Sequence, residues 1–140
     1  ALTIRSSIIG RELEGSSHGL IEWFLAQRGR SIRGFSNALY SGFTTMEMAR
    51  IVQLVLDHPE VHGLRQIASA PIDKFALLQL AREAFELEVD IARDEAFRCD
   101  RSLVMHAFSA ETGYSPPSWE AMIAELAADP TPYDRWRTAE

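Results

Sequence analysis

The chain has 140 residues, the size of one domain, and a globule of that length buries roughly 68% of the surface its unfolded chain exposes, so it can hold a core without staples. Hydrophobic residues at 46% and charged residues at 24% exclude long disorder and collagen-like arrays, while 14 basic against 20 acidic side chains, a formal charge of −6, disfavour nucleic acid as a partner. One cysteine, Cys99, excludes an internal disulfide and a cysteine-based metal cluster and points to a reducing cytoplasm. No apolar run approaches the roughly 20 residues of a membrane span, and the first residues lack a signal-peptide plan, so neither membrane insertion nor secretion is expected.

Residues Leu2 to Ile9 are rich in β-branched side chains and end at Gly10, which predicts a strand delivering a glycine turn. A strand that starts at the second residue, with no leading methionine, reads as cut from something longer. Leu20, Ile21, Phe24 and Leu25 recur at helical spacing, with Gly29 as the stop. Ser31 to Phe35 predicts a short strand and Ser36 to Gly42 a loop. Thr44-Thr45-Met46-Glu47 is a capping box, and it predicts a helix from about Thr45 to Asp57 with Met48, Ile51, Val52, Val55 and Leu56 on one face. His58-Pro59 ends it, because the residue before proline avoids the α conformation.

Leu64 to Ala68 reads as a strand, and Asp73 caps a helix carrying Phe75, Leu78, Ala81 and Phe85. Leu87, Val89 and Ile91 then alternate with polar neighbours as a further strand, completing a βαβ rhythm. Phe97 to Gly113 contains one short helix, and Ser118, after Pro116-Pro117, opens a last helix that Asp129-Pro130 closes. Tyr133 and Trp136 make the tail aromatic enough to dock.

Motifs for independent chemistry are incomplete. Gly15-Ser16-Ser17-His18-Gly19 has the pattern of a hydrolase elbow, but Arg11 to Glu14 separate it from the strand that should run straight into the turn. Ser16 and Ser17 read better as helix caps. Gly29 to Gly34 has phosphate-loop spacing with Phe35 where the lysine belongs. His58 and His62 are four apart, yet Pro59 breaks the helix that would align them, and they read as surface residues. His106 reads as partly buried in an apolar stretch, and Glu83, Glu86 and Glu88 as a solvated face.

Three segments in order carry a resemblance: Leu2 to Gly10, Gly19-Leu20-Ile21 opening a helix, and Phe43-Thr44-Thr45-Met46-Glu47-Met48-Ala49 opening another. With Arg98-Cys99-Asp100-Arg101-Ser102-Leu103 and Thr112 to Trp119, they resemble the carboxyl-terminal half of extended short-chain dehydrogenase/reductases, nearest in type to the dTDP-4-dehydrorhamnose reductases. The resemblance covers about Leu2 to Tyr133. It implies an α/β substrate-binding lobe over residues 1–133 with a tail at 134–140, lacking the amino-terminal Rossmann half.

It also implies a full-length parent that moves hydride between NAD(P) and a nucleotide-sugar carbonyl. The catalytic half is absent from this sequence. No two glycines stand two residues apart for a pyrophosphate turn, and the sole lysine, Lys74, has Ala70 where a Tyr-x-x-x-Lys pair needs its tyrosine. The isolated chain is therefore expected to bind no cofactor and to be non-catalytic. By the resemblance, Ser6 and Ser7 fall where relatives face the nicotinamide, and His18 and Leu20 lie where relatives touch the substrate. Tyr40 replaces an arginine that clamps the pyrophosphate in several relatives, and Arg98 matches a late phosphate-contacting arginine. Expected partners are a sugar substrate, the missing half and a second copy of the chain. The alternative is a non-enzymatic sensor or regulatory member of the same fold family.

Overall fold

The computed structural model describes residues 1–14 and 18–137. Its opening segment is two strands, not one. β1 (Leu2–Arg5) runs parallel to β5 (Gly63–Gln66), whereas β2 (Ile8–Ile9) runs parallel to β4 (Phe43–Thr44). Ser6 and Ser7 therefore sit where the chain exchanges one strand partner for another. The Ser7 carbonyl accepts the Phe43 N–H at 2.9 Å, which starts the second pairing.

The largest departure from the sequence expectation is β3 (Ser31–Tyr40), which runs straight through the residues expected to form a loop. It is the central strand of a three-stranded sheet, antiparallel to β6 (Ile72–Asp73) and parallel to β7 (Asp90–Asp100). The β7 ladder, joined by β6 at Leu39 and Tyr40, outweighs the turn preference of Ser36 and Asn37, the usual way tertiary context overrides local propensity in strands. β7 starts later than expected, with Leu87 and Val89 buried ahead of it. Phe35 pairs with Asp94 and Asn37 with Arg98, so two steps along β3 match four along β7 and the longer strand bulges.

α1 (Leu20–Leu25) buries Ile21 and Phe24. It ends before Gly29, whose positive φ of 75° turns the chain into β3 instead of capping the helix. α2 (Thr45–Leu56) begins as predicted, with Thr44 Oγ1 accepting the Glu47 N–H at 3.3 Å. Ile51 is fully buried, but Val52 and Leu56, expected on the core face, are 47% and 70% exposed. α3 (Lys74–Ala84) is capped by Asp73, which accepts the Ala76 N–H at 2.8 Å, and lies across β3 at Gly34. A Cβ at Gly34 would stand 2.8 Å from the Phe75 ring, so the missing side chain is what lets helix and strand approach.

α4 (Ala107–Thr112) ends on Gly113 at φ 73°, and His106 just before it is exposed, contrary to the expected partial burial. α5 (Trp119–Ala128) is capped by Ser118, which accepts from Ala121 at 3.1 Å. α6 (Tyr133–Arg137) spans the expected lobe–tail boundary and does dock: Asp134 pairs with Arg11 at 2.7 Å, and that guanidinium lies 5.1 Å from the Tyr133 ring centre. Phe24, Phe43, Ile51, Ile67, Phe108 and Ile123 belong to one core cluster.

Candidate functional site

A cleft of about 280 Å³ opens where β3, β7 and the start of α3 meet the start of α1. That is close to the lower end of ligand pockets, roughly 300–1,000 Å³, and suits one compact moiety. Ile9, Leu20, Leu77 and Phe97 make its walls apolar, with Tyr40 among them. Strand alternation places Phe97 and Cys99 on one face of β7, Arg101 follows just beyond its end in the same phase, and all three line the cleft. Lys74, the first residue of α3, lines it too. Among the described residues, neither Lys74 nor Arg101 makes an ion pair.

The Tyr40 hydroxyl does not face the cleft's cations. A Cβ at Gly42 would come within 2.1 Å of that oxygen and 2.3 Å of the Ser7 carbonyl, so the phenol is folded over Gly42 beside Ser7. The hydroxyl is buried with no hydrogen-bond partner, and desolvation holds its pKa above the ordinary tyrosine value. Ser6 Oγ is likewise buried and unpartnered. A wider and more open depression of about 700 Å³ lies against Ala70, Phe75 and Trp119. Its cation, Arg93, is already engaged by Glu95 at 3.4 Å and by the Phe75 ring.

No protein-family model and no curated protein matches the sequence. Solved structures do match. The dTDP-4-dehydrorhamnose reductase of Bacillus anthracis in complex with NADP superposes with a TM-score of 0.72 at 14% identity, over 89% of this chain and 46% of that one. The dTDP-glucose 4,6-dehydratase of the same organism, in complex with NAD, gives 0.72 at 12% identity, over 98% and 46%. A UDP-N-acetylglucosamine 4-epimerase from Methanobrevibacter ruminantium, in complex with UDP-N-acetylmuramic acid, gives 0.65 at 14%, over 90% and 44%. The fold is that of the carboxyl-terminal part of an extended short-chain dehydrogenase/reductase. The chain spans about half the length of the solved structures it matches.

In this lobe the six expected site residues are not all gathered. Leu20 and Tyr40 line the cleft, and Ser7 lies against the Tyr40 hydroxyl with Ser6 next to it. His18 is exposed and is not among the lining residues. Arg98 pairs with Asn37 in the ladder, one step out of phase with Cys99 and Arg101, and its exposed side chain belongs to the opposite face of β7. Ser17, of the hydrolase-like pattern, lies outside the described residues. His58 and His62 each face Glu60 locally, at 2.8 Å to its carboxylate and 2.9 Å to its carbonyl, and no metal-binding cluster occurs among the described residues.

NAD or NADP is bound in two of the matched structures, and the feature here that bears on such a group is the Ser6 Oγ at the strand exchange, buried and without a hydrogen-bond partner. The sequence offers no glycine pair for the pyrophosphate. The residues that sequence reasoning missed are Lys74 and Arg101. Arg101 was legible as a cation in step with Phe97 and Cys99 once a strand through residue 101 is assumed. Lys74 carried a different signal, a positive charge at the amino end of a helix, where the macrodipole disfavours it.

Proposed function

We propose that this chain is the substrate-binding portion of an NAD(P)-dependent sugar-nucleotide reductase or epimerase of the dTDP-4-dehydrorhamnose reductase type, acting in the cytoplasm with an amino-terminal Rossmann half that carries the cofactor. The observation that carries this reading is the apolar cleft beside the Ser6–Ser7 strand exchange, with Leu20 and Tyr40 in its lining. Hydride transfer needs a carbonyl held against the nicotinamide in a water-poor site. The cleft supplies the holding surface on one side, and the Ser6–Ser7 segment would border the cofactor on the other. Among the described residues no helix is long and apolar enough to cross a membrane. By itself the lobe binds sugar nucleotide and leaves NAD(P) alone.

Cys99 is the natural reporter, being the sole thiol, partly buried and in the cleft lining. A dTDP- or UDP-sugar should slow alkylation of Cys99 several-fold, and calorimetry with NADPH should show no 1:1 complex below about 10 μM. Unprotected Cys99 at millimolar sugar nucleotide, or tight NADPH binding, would overturn the reading.

A further inference from the structure

We infer that Arg11 is a positioning residue of the cleft: it locks the short helix α1, and with it the Leu20 wall, to the carboxyl-terminal helix α6. The consequence for ligand binding rests on the sugar-nucleotide reading, while the lock itself rests on geometry alone.

α1 has six residues, and an isolated helix shorter than about 12–15 residues is marginal in water, so its place is set by what it touches. Its cap residue, Gly19, has no side chain to serve the first amides. Ile21 and Phe24 anchor one face in the core, and residues 11 and 12 supply a second hold. The Glu12 carboxylate accepts the Gly19 N–H, an approach that a Cβ at Gly19 would block. Glu22 Oε1 accepts from Arg11 Nε at 2.6 Å and from the Glu12 N–H at 3.0 Å. Glu22 is only 3% exposed, and a charge buried that deeply holds its place through the groups that bond it. The chain leaving β2 is thus bonded to α1 at both of these acids. Ile9 and Leu20, which line the cleft, stand two residues before Arg11 and two before Glu22.

Arg11 also faces the other way. Its Nη2 donates to Asp134 Oδ1 at 2.7 Å, and its guanidinium lies 5.1 Å from the Tyr133 ring centre, both residues belonging to α6. The Tyr133 hydroxyl in turn donates to Asp129 Oδ2 at 3.1 Å, and Asp129 closes α5, which buries Met122, Ile123 and Leu126 in the core. A continuous set of bonds therefore runs from α5 through Asp129, Tyr133 and Arg11 to Glu22 and the cleft wall. A planar guanidinium can bridge two acids from separate nitrogens, a geometry that a lysine ammonium does not reproduce. Arg11 is not among the residues that line the cleft, so it acts on the cleft through α1.

The test uses the 140-residue chain, read by amide hydrogen exchange, by the alkylation rate of Cys99 without ligand, and by calorimetry with a dTDP-sugar. Arg11→Gln should speed exchange in α1 about 10- to 150-fold, the worth of one charge-assisted hydrogen bond, while exchange in α5 stays within a few-fold of the parent chain. It should also raise the Cys99 rate and weaken the dTDP-sugar several-fold. Arg11→Lys, which keeps the charge and loses the fork, should fall between Arg11→Gln and the parent. Asp134→Ala, at the exposed end of the bridge, should move α1 exchange the same way by about two- to five-fold. If exchange in α1 and α5 rises together, or if neither moves, the positioning role is overturned. An unchanged Cys99 rate overturns it too, as does a dTDP-sugar that binds the parent and Arg11→Gln equally well, and in that last case the sugar-nucleotide reading stands. If α1 and Cys99 respond as expected while the parent chain binds no sugar nucleotide, the positioning role stands and that reading falls.

Discussion

Two groups of charged side chains occupy this lobe and are resolved in opposite ways. Beside α2 and α5, the Tyr114 hydroxyl donates to Glu47 Oε1 at 2.7 Å, Arg50 donates to Glu47 Oε2 at 2.8 Å, and Arg50 also grips both oxygens of Glu125. Glu47 is only 6% exposed, yet both its oxygens are bonded. In the cleft, Lys74 and Arg101 have no acid at all. The first arrangement ties three segments of chain together. The second leaves charge available. Where polar groups are satisfied internally they serve stability, and where they are left over they are free to serve a ligand.

The comparison can be broken most forcefully at Glu47. Glu47→Ala strips the acceptor from Tyr114 and one partner from Arg50, and should cost about 2–3 kcal/mol in chemical denaturation, since an orphaned buried donor carries its full desolvation penalty. An unchanged midpoint would show that the network is decorative. Thr44→Ala removes only the cap of the same helix and should cost about 1 kcal/mol, read the same way. At the cleft the sign reverses. Lys74→Met should leave stability unchanged or raise it by about 0.3–1 kcal/mol, because it removes a cation from the positive end of α3. A clear loss of stability would place Lys74 with the structural group.

Acid sharpens the contrast further. Arg50 holds Glu125 below the ordinary carboxylate range, and Arg65 does the same for Glu111. A carboxylate depressed in the folded state contributes stability that is present above the unfolded value, about 4.3, and is lost as pH falls through the lower folded one. The melting temperature should therefore decline below about pH 4.5, and Glu125→Gln should make that decline shallower. The effect is small, both groups being surface-exposed and screened. An identical pH profile in Glu125→Gln would remove the ion pair from the account.

The helix starts at Thr44, Asp73 and Ser118 were legible because a cap is a contract between residues three apart, and each makes the bond its spacing promised. Only half of the capping box formed, since Glu47 faces a tyrosine 67 positions away in place of its own helix end. β3 was not legible past Phe35, because what makes Ser36 to Tyr40 extended is the ladder from β7, brought in from more than fifty residues later. The same long-range pairing decides which way β7 side chains face. Sequence similarity could point to Arg98 but not reveal that Arg101, in phase with Cys99, is the arginine in the cleft. The split at Ser6–Ser7 was hidden for a related reason, both halves being β-branched and differing only in their distant partners.

β7 forms an outer edge of its sheet, eleven residues long, with one row of backbone groups that no strand covers among the described residues. Such an edge is a template for other chains to add to. Asp90, Arg93, Asp94, Glu95, Arg98 and Asp100 stud it with mixed charge, and the bulge after Asp94 bends it out of register. A second copy approaching that edge in parallel would set like charges beside like and meet a kinked ladder. Arg98, exposed on this edge, is one of the charges that any strand added there would have to face.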